Sequence, residues 1–328
     1  MKITRFLLVK IAGMIAVLLL VSLAVYLIFY LTPADPARTE CGRVCTPAEL
    51  VQVRAFMGLN EPVWRQYLDF LGAIFAGRSY GSGAGAIACP APCLGYSFQQ
   101  HQTVLSLIGQ TAPVTASIAL GAAVLWLVTG VAAGVVSALR RGRALDRAVM
   151  ATAIVGISVP AYLVGLLGIL VFGFKLNILP VSGYVPLTQD PAQWAFHLML
   201  PWCALAFISA AIYARLTRSQ MIEALGEDYV RTARAKGLRE SRVIGRHALR
   251  NVLIPVITLF GLDLGALLGG AVITEKVFSM YGLGALLIGA VATTDISTIA
   301  GVTLLAAVFV IVANFLVDLV YKLLDPRV

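Results

Sequence analysis

The sequence predicts an all-α integral membrane protein: six transmembrane helices with a small helical extracytoplasmic domain between the first two. Three observations predict it. Hydrophobic residues make up 59% of the 328 positions and charged residues only 12%, about half the charged share of a soluble domain. Six apolar runs are each long enough to cross about 30 Å of hydrocarbon at about 1.5 Å per residue. Finally, Lys and Arg are concentrated on alternate connections between those runs. A net charge of +9 in a soluble chain would point to nucleic acid or anionic lipid. Here topology accounts for it, and nucleic acid is not an expected partner.

The runs are 6–31, 108–139, 148–174, 197–216, 252–274 and 299–324. Each must be helical, because hydrocarbon offers no partner for a free backbone N–H or C=O. The first is too long for the apolar core of a signal peptide and is followed by no clear small-residue cleavage site, so it is expected to remain as an anchor. With the N-terminus placed in the cytoplasm, eighteen of the 25 Lys/Arg fall inside. The chain is therefore expected to be a multi-pass protein of the plasma or inner membrane with both termini cytoplasmic. This gives three parts: 1–31 as N-terminus and first span, 32–107 as an extracytoplasmic loop domain, and 108–328 as a core of five spans with a cytoplasmic loop at 218–251.

The segment 32–107 is too long for a simple connector. Thr46, Pro47 and Glu49 form a capping box with proline at the first helical position, opening a helix that runs to Gly58. A second helix opens near Asn60, carries Trp64, Tyr67, Leu68, Leu71 and Phe75 on one face, and ends at Gly77. That face suits either the membrane surface or packing on the spans, and is taken as the packed face of a small cap. Gly81, Gly83 and Gly85 follow no strand and open no helix, so they are not read as a phosphate loop.

Cys41 and Cys45 sit early in this segment and Cys89 and Cys93 late, while Cys203 is in the fourth span. In an oxidising compartment the first four suggest two disulfides, whose pairing spacing does not choose. Local pairs need the least loop closure. A zinc site built from both pairs is the alternative, although the spacing is one residue longer than usual.

The spans carry small-residue faces: Gly130 and Gly134 in the second, and Gly261, Gly265 and Gly269 in the fifth. Such ladders let helices approach closely. Asp263 lies between two rungs of the second ladder. A carboxylate at that depth faces a bundle interior or a water-filled pathway, so it has either a structural partner or a cationic or zwitterionic solute to meet. Pro113 and Pro160 are expected to kink their spans. No phosphate-binding loop, zinc-protease motif or nucleophile elbow is present, and no row of ionisable residues crosses the spans as a proton relay requires. Neither intrinsic enzymology nor ion-driven transport is expected, and no metal site and no cofactor is assigned to the chain.

The segment 227–255, EDYVRTARAKGLRESRVIGRHALRNVLIP, is polar and basic in an otherwise apolar chain. Nine Lys/Arg lie between Arg215 and Arg250. Helix-forming stretches at 219–235 and 240–251 flank Gly237, which permits a sharp reversal. The expected result is a short helix–turn–helix. Basic residues gain from anionic lipid, but lipid requires no glycine turn at a fixed point, whereas a protein groove does.

YVRTARAKGL followed by RHALRNVLIPV resembles the "EAA" loop of permeases of binding-protein-dependent ABC importers, in the dipeptide/oligopeptide/nickel group. Arg231 and Thr232 stand where the general pattern has Glu and Ala, and Pro255 lies further from Gly237, as suits that group. Gly58–Leu71, the segments around Pro160 and Pro180, and GGAVITEKVFSMYGLGALL (269–287) extend the resemblance along the chain. The Cys-bearing stretch near 81–95 departs from it. The resemblance implies a type I ABC importer permease fold, the first-permease subunit of a peptide importer. It implies a second homologous permease, two cytoplasmic ATPase subunits that carry the ATP and Mg, an extracytoplasmic solute-binding protein, a peptide cargo and surrounding lipid. Thr232, Ala233, Arg234, Ala235, Lys236, Gly237 and Leu238 would form the ATPase-coupling element, with Asp263, Gly265 and Gly269 along the pathway. Nickel chelates, haem or another small solute are alternative cargoes within the group; a stand-alone carrier or channel is the alternative outside it.

Overall fold

The computed structural model describes residues 2–31, 37–38, 46–81 and 86–324. Among the described residues five helices are long and apolar enough to cross a membrane, and a sharply bent pair brings the number to six when it is counted as one span. Backbone contacts divide the chain into two units, Met1–Pro113 with Tyr281–Ile311, and Val114–Met280 with Val312–Val328.

In the first unit, α1 (Lys2–Leu31) contains the first span. Helix α2 (Pro47–Met57) starts on the expected capping box: Thr46 Oγ1 accepts from Glu49 N–H, and the Glu49 carboxylate accepts from Thr46 N–H at 2.9 Å. It ends at Gly58 with φ +75°, where Gly58 N–H donates to Ala55 O and Leu59 N–H to Arg54 O, a left-handed stop that glycine adopts without strain. Helix α3 (Val63–Ala76) begins three residues after the expected Asn60 and ends before Gly77. The domain is not purely helical. Strands β1 (Arg78–Tyr80) and β2 (Ile87–Cys89) pair antiparallel, as do β3 (Tyr96–Ser97) and β4 (Gln102–Thr103). The glycine cluster thus does follow a strand, β1, and Gly81 leaves it toward β2; Gly83 and Gly85 lie outside the described residues. Tyr80, Tyr96, Phe98, Ala73 and the Cys89–Cys93 disulfide form the core of this cap. That bond fixes a local pairing for the later cysteines and takes both thiolates away from any zinc. Cys41 and Cys45 lie outside the described residues. Burial in this core pushes the Tyr80 phenol up. The buried Asp295 holds the β3 end by accepting from Ser97 Oγ and Thr298 Oγ1. It sits ahead of the last span, α12 (Ile296–Leu324), and after α11 (Leu283–Ala292).

In the second unit the bulk of α4 (Val104–Leu139) packs on α7 (Pro191–Gly226). A Cβ on Gly130 would stand 2.7 Å from Tyr213 Cβ, and one on Gly134 would stand 2.6 Å from the Ala214 carbonyl oxygen. These two rungs are packing positions: absent side chains let backbones touch. Pro160 breaks the third crossing into α5 (Ala144–Ser158) and α6 (Ala161–Lys175), bent by 103°. Pro113 stays inside an unbroken helix, as do Pro201 and Pro255. α7 runs well beyond the expected 197–216. The fifth span is α9 (Glu240–Leu268), widened to a π-type turn at Val243–Ala248. It begins inside the basic loop and stops at Gly269, short of the expected residue 274, with Gly270 at φ +139°. Gly261 is buried against Val317 of α12, where an added Cβ would lie 2.0 Å from Val317 Cγ2. The short α10 (Val272–Val277) follows.

Candidate functional site

Residues 227–239 form a compact hook. The helix expected over 219–235 is interrupted at Glu227, whose ψ of 151° is extended, and α8 (Asp228–Ala235) restarts at a new angle. Its apolar spacing is three residues: Val230 and Ala233 are buried with Met221, Ala224, Val243, Ala248 and Val252. The opposite side exposes Arg231, Thr232, Arg234, Ala235 and Lys236. Gly237 has φ +75°, and the space where a Cβ would sit is open; its own N–H donates to Arg234 O at 2.9 Å and Leu238 N–H to Ala233 O at 3.3 Å. This paired closure is the Schellman stop, and the apolar contact that accompanies it is made by Leu238 on the same buried cluster. Arg234 then reaches across the turn to Glu240 with two bonds, Nη2 to Oε1 at 2.6 Å and Nε to Oε2 at 3.2 Å, and these push its guanidinium above its usual range.

Of the seven residues expected to couple, Thr232, Arg234, Ala235, Lys236 and Gly237 therefore share an exposed surface. Ala233 is buried and Leu238 half-buried, so these two anchor the hook. The result is a cationic knob with a small-residue tip, seated on the ends of α7 and α9.

Two polar arrangements escaped the sequence reading, the first of them at the hook end of α7. Asp146, at the start of α5, accepts from Arg218 Nε at 2.7 Å and Nη2 at 2.9 Å, from Gly142 N–H at 2.8 Å, and from Ser137 Oγ. It is 3% exposed and ties the α4–α5 turn to α7, the helix that carries the hook. The sequence signal was one acid among Arg140, Arg141, Arg143 and Arg147. The second is Glu275 of α10, fully buried, which accepts from Thr115 Oγ1 at 2.7 Å.

The membrane carboxylate has a partner. Tyr213 OH on α7 donates to Asp263 Oδ2 at 2.8 Å, and the Tyr213 ring lies beside Trp126, itself beside Phe260. Asp263 is half-buried, Gly265 is buried, and Gly269 terminates the helix.

Residues 130–328 match the family described as binding-protein-dependent transport system inner membrane component, and residues 3–119 match its N-terminal part. A peptide transport system permease protein of Brucella abortus is 35% identical over 325 residues, covering 99% of each chain. The di/tripeptide transport system permease protein DppB of Pseudomonas aeruginosa is 37% identical over 329 residues, covering 94% of each. A solved structure described as inward-facing conformations of the MetNI methionine ABC transporter superposes with TM-score 0.52 at 19% identity, over 67% of this chain and 97% of that one; it shares the fold. With a multi-span helical bundle and matches that run nearly end to end, the chain belongs to the family of binding-protein-dependent transport system inner membrane components.

Proposed function

We propose that this chain is the permease subunit of an ATP-driven importer of dipeptides and short oligopeptides. It forms half of the translocation pathway beside a second, homologous permease, and it is non-catalytic: two cytoplasmic ATPase subunits hold the ATP and Mg. A solute-binding protein delivers cargo on the far side, and both termini are cytoplasmic. Asp263, Gly265 and Gly269 lie along the pathway in this reading, with Asp263 as the group that meets a charged solute. The relatives' names support the peptide cargo.

The observation that carries the coupling role is the hook. Its exposed cationic face and glycine turn are held rigid by a buried apolar seat and an ion pair, as an element that transmits force requires. A motor closing on such a knob moves α7 and α9 together, and so biases the bundle between two states.

The test is Gly237→Glu in the assembled complex. Only glycine adopts φ +75° without strain, and other residues lose about 1–2 kcal/mol there. The new carboxylate also places a negative charge on the knob. ATP-dependent peptide uptake into proteoliposomes should be lost while the chain inserts at normal levels. Wild-type uptake by this variant refutes the coupling role.

A further inference from the structure

Helix α3 divides into three lengthwise stripes. Gln66, Tyr67, Phe70 and Ala73 turn inward, toward α1 and the cap core. Arg65 and Asp69 are exposed on a second stripe, Arg65 paired with Glu61 at 3.5 Å. Trp64, Leu68 and Phe75 form the third, and they are 64%, 56% and 85% exposed. An expectation that this aromatic face packs on the spans is therefore wrong for most of it; only Tyr67 and the half-buried Leu71 turn toward the protein.

The depth of the helix follows from what holds it. Tyr67 OH and Ser22 Oγ are 2.8 Å apart, and Tyr67 OH also donates to Leu19 O at 3.3 Å. Tyr26 OH donates to Gln66 Oε1 at 3.1 Å. These partners belong to the first apolar span. The apolar run is 6–31, a little longer than the roughly 20 residues that about 30 Å of hydrocarbon takes. Ser22 and Tyr26 thus fall about 8–14 Å short of its far end. On the same stretch of α1, Leu20, Leu23, Leu27 and Ile28 are 42–69% exposed, the surface a span presents to acyl chains. The bare stripe belongs to the helix that is bonded to this stretch of α1. Fourteen residues extend only about 21 Å, too short to cross, so the helix lies along the bilayer.

We propose that α3 is an interfacial membrane helix, seated at the headgroup–acyl boundary distant from Lys10, with Trp64, Leu68 and Phe75 in lipid and Arg65 and Asp69 in the headgroup layer. Apolar and aromatic residues on one side and charges on another are the pattern of a helix lying in that plane, and Trp favours that depth. Lipid is the occupant because the inward stripe of the same helix is bonded to α1 at membrane depth; a protein docking from solution would not reach it there.

The full-length chain is reconstituted in phosphatidylcholine/phosphatidylglycerol vesicles with acyl chains brominated near the headgroup, and tryptophan emission is compared for wild type and Trp64→Phe. The wild type should lose a larger fraction of its emission to bromolipid than the variant does. Equal fractional quenching overturns the proposal. Independently, a photoreactive benzoylphenylalanine at position 68 or 75, irradiated in intact host membranes, should yield a phospholipid adduct; an adduct to another protein overturns it. Neither readout depends on transport, so the outcome is separable from that of the importer reading.

Discussion

Asp146 illustrates how one residue's environment sets its worth. Four hydrogen bonds converge on a carboxylate that is almost completely withdrawn from solvent. Breaking a buried pair leaves the other charge uncompensated, at about 3–5 kcal/mol when both partners are deep; the Arg218 side chain is 26% exposed, so the loss here is smaller. Asp146→Asn should lower stability by about 1–3 kcal/mol, read as a lower Tm in detergent, and Arg218→Lys should lose less because it keeps the charge without the two-pronged geometry. An unchanged Tm for Asp146→Asn contradicts the clasp. The pair was not legible in the sequence, since Asp146 stands among arginines and reads as a solvated helix start. Its true partner is 72 residues away. Gly237 was legible, because a glycine between two helix-forming stretches has few other uses.

At the scale of elements, close packing makes sharp distinctions between residues of the same type. Gly109 and Gly134 share α4, but an added Cβ at Gly109 meets nothing within 4 Å while one at Gly134 runs into backbone. Gly134→Val should destabilise by about 1–3 kcal/mol through overpacking. Gly109→Ala should be neutral or raise stability by up to about 1 kcal/mol through helix propensity. Thermal unfolding of the two variants side by side checks the contrast, and similar losses would show that the α4–α7 contact is looser than described. The cap offers another case. The Cys89–Cys93 bond closes a loop of only a few residues, so its removal in Cys89→Ser/Cys93→Ser should cost about 2 kcal/mol, measured as a Tm difference that reductant reproduces in the wild type. Helix ends were the best-read features at this scale: the Thr46 box, the Gly58 stop and the Gly77 stop rest on residues within one turn of each other. The two hairpins were missed because strands of two or three residues leave no periodicity, and the break at Glu227 because Gly226 permits a helix end without forcing one.

For the whole molecule, the reading is of a chain that guides solute but does no work of its own. Reconstituted alone, it should support no concentrative peptide uptake; uptake should appear only when the ATPase subunits, the second permease and the binding protein are added with ATP. Concentrative uptake by the chain alone would favour the carrier alternative. The number of crossings, the class of protein and the location of the basic hook were determined by the sequence alone. The reason is physical: hydrocarbon demands helices of a minimum length, and charge cannot be hidden in it, so both leave marks in one dimension. The tertiary structure alone decided what meets what: that Asp263 bonds Tyr213, that Ala233 anchors the hook rather than facing outward, that Pro160 breaks a span while Pro113 does not, and that Trp64 and Phe75 stay bare. Those outcomes depend on side chains brought together from distant positions, and no local pattern encodes which of several apolar surfaces a folded neighbour will cover.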